Sequence, residues 1–150
     1  MFKTWIVVGF ILLLVFFVYV RFAPSKEAVW HIDPTLDHPE RLNSFQVTAE
    51  LEAVGLTKKT LASALSNIFP KLDGERAEIL AGSAEEGFLT YISRSKLIGF
   101  PDYMSVKIVN IASDKAELAI YARSRFGISD LGKNKARVSA WLKALEASLK

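Results

Sequence analysis

Apolar positions are unevenly spread along this chain. Residues 5–20, WIVVGFILLLVFFVYV, form one uncharged run. Phe22 and Ala23, beyond Arg21, extend it to roughly 18–19 residues, enough for one helix to cross a bilayer. Trp5 and Tyr19 lie near its ends, where amphipathic rings suit the headgroup zone, and Lys3 and Arg21 bracket it. A cleaved secretory signal and a buried core helix are the rival readings. A cleavage site wants small residues, and YVRFAPS places Arg21 there. Residues 1–23 are therefore expected to form an uncleaved anchor, with residues 5–22 in the bilayer. Cations on both flanks leave orientation nearly balanced. The short head before the run fits a signal-anchor, so the domain is expected on the periplasmic side of a bacterial inner membrane.

Beyond the run the pattern changes twice. Residues 24–56 hold three prolines and scattered acids, which argues for an extended spacer packing partly on the domain. Within it SFQVTAE alternates weakly, as an edge strand does. At LTKKTLASALSNIFP a helix is expected. Thr57 caps it, Leu56 and Leu61 have staple spacing, Leu61, Leu65, Ile68 and Phe69 form its apolar face, and Pro70 ends it. Four strand-like segments follow: RAEILAGS, EGFLTYISRSKL, YMSVKIVNI and AELAIYARSRF. Their short links favour an antiparallel meander. A last helix starts at Asp130 and runs to about Leu149, with Leu131, Val138, Trp141, Leu142, Leu145 and Leu149 along one side. The expected fold is α+β: a transmembrane helix, then a small domain over 57–150 of about four antiparallel strands with two helices on one face.

Charge alters this picture more than composition does. The net charge of +3 hides an asymmetry: residues 24–90 carry −5 and residues 91–137 carry +5. The basic half contains one phrase twice, YISRSKLIGFPD at 91–102 and YARSRFGISD at 121–130. Strand alternation puts Arg94, Lys96, Lys107, Arg123 and Arg125 on one sheet face, away from Leu89, Tyr91, Leu97, Met104, Val106, Leu118 and Ile120 on the core face. Like charges on neighbouring strands repel, so a neutralising partner is required. One reading is a structural clamp, with Asp102 and Asp130 bridging to Arg94, Arg123 or Arg125. A second is an anion site formed by Arg94, Lys96, Arg123, Arg125, Lys133 and Lys135, the lysines lying where a helix N-terminus would also attract an anion. A third is coincidence between two basic strands.

Other chemistry is sparse. WHIDPTLDHPE brings His31 and His38 near Asp33, Asp37 and Glu40, but the spacing fits no metal-ligand pattern, and neither metal nor cofactor is expected. There are no cysteines, and none of the common nucleophile, zinc or phosphate-loop motifs occurs. Nucleic acid is not an expected partner for a membrane-attached domain with net charge of only +1 beyond residue 23.

The blocks WHIDP, AGSAEEGFLTYISRSKLIGFPDYMSVKI and LAIYARSRFGISDLGKNKARVSAWLKAL resemble the uncharacterised family known as domain of unknown function 1499 (DUF1499), over roughly residues 30–146. The resemblance implies an envelope location, since members often carry an N-terminal signal or membrane segment. It implies no activity and no catalytic residues. The expected role is a membrane-anchored, non-catalytic envelope domain binding an anionic lipid, a glycan phosphate or an acidic protein. The alternatives are an envelope enzyme using the His31-to-Glu40 segment for metal or acid–base chemistry, and a purely structural assembly subunit.

Overall fold

The computed structural model describes residues 2–72, 77–112 and 114–150, with side chains left out at residues 2 and 69–72. The chain opens with helix α1 (Phe2–Phe22), whose stretch Lys3–Phe22 is long and apolar enough to cross a membrane. Most of its side chains are exposed, so it is not a core helix of this domain. A four-residue helix α2 (Glu27–Trp30) and an extended segment lead to strand β1 (Ser44–Glu52) and helix α3 (Lys58–Leu72). Strands β2 (Glu78–Ser83), β3 (Phe88–Arg94), β4 (Pro101–Ala112) and β5 (Lys115–Ser124) follow, then helix α4 (Lys133–Ser148).

The four expected strands pair as an antiparallel meander, and β1 adds a fifth by pairing with β5, giving the order β1-β5-β4-β3-β2. SFQVTAE is thus an edge strand, and the spacer region contributes directly to the sheet. Helix α3 carries the chain from one edge of the sheet to the other.

Alternation places Leu89, Tyr91, Met104, Val106, Leu118, Ile120 and Ala122 on one sheet face, and α3 and α4 pack there. Leu61 and Leu65 of α3 and Val138, Trp141 and Leu145 of α4 complete the core. Thr57 caps α3 as expected: its Oγ1 accepts the Thr60 amide at 3.1 Å, and Thr60 Oγ1 accepts the Thr57 amide at 2.9 Å.

Three local expectations are corrected. Helix α3 passes through Pro70 to Leu72. Proline forfeits one backbone hydrogen bond, but its fixed φ is itself helical, so a final half-turn survives. Leu131 is not on the apolar face of α4: it has φ +55° and is 90% exposed, and the helix begins two residues later. Leu97, expected to face the core, is 92% exposed in the turn after β3.

Candidate functional site

The second sheet face carries Thr90, Ser105, Tyr103, Tyr121 and Arg123, all buried. The segment before β1 is laid across it as a strap. Three rings of the strap stack on the sheet: Trp30 on Tyr103 with centroids 3.9 Å apart, His31 on Phe88 at 3.9 Å, and His38 on Tyr121 at 4.1 Å. Trp30 ends α2, His31 follows it, and a turn at residues 33–36 brings the chain round to His38, so the three rings reach β4, β3 and β5 in that order. Both histidines therefore serve first as flat aromatic surfaces. Each also makes a hydrogen bond, His31 Nδ1 with Thr90 Oγ1 at 2.9 Å and His38 Nε2 with the Asp33 carbonyl at 2.9 Å. Among the described residues, no group of three His, Asp or Glu side chains is placed to hold a metal ion.

A buried polar chain lies beneath the strap. Arg123 Nη1 donates to Ser105 Oγ at 3.1 Å, Ser105 Oγ lies 2.8 Å from Thr90 Oγ1, and Thr90 meets His31. A guanidinium can only donate. The arrangement that gives every hydroxyl proton a partner runs from Arg123 through Ser105 and Thr90 to His31 Nδ1, which leaves that ring protonated on Nε2.

The arginines of the sheet face have partners other than the expected Asp102 or Asp130. Lys107 pairs with Asp33. Burial pushes the Asp33 carboxyl up, but bonds from Lys107 and Thr35 outweigh this and hold it down at about 2. Arg94 donates to the carbonyls of Arg21 at 3.2 Å and Ala23 at 3.5 Å, and Arg125 to that of Pro24 at 2.8 Å. These are carbonyls at and just beyond the C-terminus of α1, where a helix leaves acceptors free and its dipole favours cations. Each copy of the repeated phrase thus sends one arginine to the exit of α1. Strands β3 and β5, both antiparallel to β4, run in the same direction, so the two copies of the phrase reach the same end of the sheet.

The two aspartates hold the helical side instead. Asp102 pairs with Arg137 of α4 at 3.1 Å. Asp130 accepts the amides of Gly132 at 2.9 Å and Asn134 at 2.8 Å, so a carboxylate of the chain already occupies the start of α4. Lys133 and Lys135 are exposed on α4, which packs against the opposite sheet face, and Lys96 is exposed beside Arg21. The six expected anion-binding residues are therefore not gathered at one place. Asp102→Asn is expected to cost about 1.5–3 kcal/mol, the usual worth of a hydrogen bond to a charged group. In a melting-curve cycle with Arg137→Gln the losses should be non-additive by more than about 0.5 kcal/mol; additive losses would mean that the pair carries no energy.

Arg123 stands apart from the other cations. It is 4% exposed, and its described partners are Ser105, the carbonyls of Tyr121 and Trp30, and the Tyr121 ring, 4.8 Å below the guanidinium. None of these is a carboxylate, and Nε has no hydrogen-bond partner. Burial pulls its pKa down to about 10, opposed by Tyr121 and Tyr103, so it stays cationic at neutral pH. It lines a groove of about 480 Å³ together with Arg125, Arg41, His38, Asn43 and Ser124. No lining residue is acidic. Asp37 and Glu40 line an adjoining groove that shares His38 and Arg41. Arg41 was not visible as a site residue from the sequence: it lies in a polar loop, and only the pairing of β1 with β5 carries it to Arg123.

Two helices gripped by one face of a five-stranded antiparallel sheet, with a strap across the other face, define the class of α+β domain. A family model described as protein of unknown function (DUF1499) matches residues 31–145, and the chain belongs to that family. No functionally curated protein matches it. Among solved structures, an uncharacterised protein from Bacillus thuringiensis is similar at TM-score 0.50 and 13% identity, over 71% of this chain and 98% of that one. This likeness shows the fold alone. A START superfamily protein from Mycobacterium smegmatis aligns at TM-score 0.42 and 15% identity, over 71% of this chain and 97% of its own. The di-domain ARO/CYC StfQ of the steffimycin biosynthetic pathway aligns at 0.46 and 8%, over 70% of this chain and 44% of its own.

Proposed function

We propose that the chain is a single-pass, membrane-anchored domain of the bacterial envelope, non-catalytic, whose groove at Arg123 takes an anionic group. The observation that carries the reading is Arg123 itself. A guanidinium taken out of water without a carboxylate is costly, and it is kept beside two further arginines in a groove whose lining has no acid. An anionic lipid headgroup, a glycan phosphate or an acidic protein side chain would supply the missing charge. The anchor is supported by the exposed apolar surface of α1, which water would not tolerate. The domain is assigned to the periplasmic side, so a reporter fused after Lys150 that matures only outside the cytoplasm should be active; activity of a cytoplasm-only reporter would overturn this.

The test of the groove is the melting temperature of the full chain in detergent, with sulfate or with chloride at equal ionic strength. Sulfate is expected to stabilise it, because a ligand that binds only the folded state adds RT ln(1 + [L]/Kd). One observation favours the envelope-enzyme alternative: His38 lines the same groove as Arg123. A catalytic His38 would have to leave its Tyr121 stack and its bond to the Asp33 carbonyl.

A further inference from the structure

Helix α1 does not leave the domain on a free tether. Val20 and Ala23 are fully covered, although most of the helix is exposed. Two turns meet it, and they are the turns of the repeated phrase. In the first, Gly99 has φ +84°, and a Cβ there would lie 3.2 Å from Arg21 Cγ and 3.5 Å from Arg21 Cα. In the second, the Phe126 ring meets Tyr19 edge-on at 6.3 Å and Phe100 of the first turn at 5.9 Å.

Depth follows from helix geometry. Tyr19 lies three residues back from Phe22, about 4.5 Å at 1.5 Å per residue. A loop that touches Tyr19 therefore reaches past the end of the apolar helix, to the level where a bilayer would begin. The same two turns also expose Leu97 (92%), Ile128 (87%) and Leu131 (90%). One exposed leucine needs no explanation. Three of them in the two turns that flank the exit of an apolar helix, next in sequence to Lys96 and close to Lys133, do.

We propose that residues 95–100 and 126–131 form a collar that seats the domain on the bilayer crossed by α1. Leu97, Ile128 and Leu131 enter the boundary between headgroups and acyl chains, and Lys96 and Lys133 meet anionic headgroups. The proposal rests on the membrane-anchored reading above. It also accounts for the repeat: each copy supplies an arginine to the end of α1 and an apolar tip to the membrane.

The chain has no cysteine, so single cysteines can be placed at will. Leu97→Cys, Ile128→Cys, Val54→Cys and Val15→Cys, each spin-labelled in the full chain, are reconstituted in vesicles of phosphatidylcholine and phosphatidylglycerol. Collision with oxygen against a water-soluble nickel chelate reports depth. Labels at 97 and 128 are expected at the headgroup boundary, the label at 54 in water, since it sits at the far end of the sheet, and the label at 15 in hydrocarbon. In phosphatidylcholine alone, 97 and 128 should become shallower. Labels at 97 and 128 as wet as the one at 54, with 15 still buried, would overturn the collar and leave the anchor. A wet label at 15 would overturn the anchor and the collar together. Spin–spin broadening at 97 or 128 would mean that a second copy covers the turns, which also overturns the proposal. Unchanged depth in phosphatidylcholine would remove the two lysines from it.

Discussion

Trp141→Ala is expected to cost about 3–5 kcal/mol of folding free energy, the range for truncating a large buried aromatic. The indole is fully buried among the inward side chains of both helices and the sheet. Its removal leaves a void between α4 and the sheet that rigid strands cannot close. Domains of this size hold only about 5–15 kcal/mol in total, so the melting temperature should fall by roughly 10–20 °C. Trp141→Phe keeps part of the ring contact and should cost clearly less. A loss below about 1 kcal/mol for the alanine variant would mean that α4 does not pack by this face.

That face was readable because it rests on periodicity. Val138, Trp141 and Leu145 recur at helical spacing, and Met104, Val106, Leu118 and Ile120 alternate, so one pattern places helix and sheet faces together. The apolar run at 5–20 is legible for the same reason. The strap is not, because an extended proline-containing segment has no period and its partners are set by strands far along the chain. WHIDPTLDHPE reads as a loop with two spare histidines, yet each ring is stacked on a strand more than 55 positions away. The aspartate partners were hidden similarly: Asp102 and Arg137 meet only because α4 crosses the start of β4. Leu131 misled because a left-handed residue before a helix breaks the register that its spacing suggests.

The same contrast shapes the site. Alternation brings Arg94, Lys107, Arg123 and Arg125 to one face, but it does not say which remain available. Backbone carbonyls of residues 21–24 take Arg94 and Arg125, and Asp33 takes Lys107. At Arg123 the strap supplies a neutral carbonyl rather than an acid, which satisfies hydrogen-bonding geometry and leaves a buried formal charge uncancelled.

Arg123→Met is expected to abolish the stabilisation that sulfate confers on the wild type. Burial pulls the Arg123 pKa down to about 10, so removing the charge relieves a cost on the order of 3 kcal/mol. Against this, three donated hydrogen bonds are lost, leaving acceptors that are buried at Ser105 and Tyr121, worth about 1–3 kcal/mol each, and partly buried at Trp30. The second effect is the larger, so the variant should melt lower than wild type without anion. The decisive quantity is therefore the increment caused by anion, which at a hundredfold excess over Kd would be about 2.7 kcal/mol in the wild type. Sulfate also strengthens burial non-specifically, and each variant measures that background for itself. Arg125→Gln is half-exposed, so it is expected to fold and to show a reduced increment. Lys107→Met, whose lysine is outside the groove lining, should keep the whole of it. Because Arg123 keeps its proton until about pH 10, the part of the increment that it carries should be lost only as pH rises towards 10. An increment of equal size in wild type, Arg123→Met and Arg125→Gln would be the non-specific salt effect alone, and Arg123 would then be a buried strut that ties the strap to the sheet.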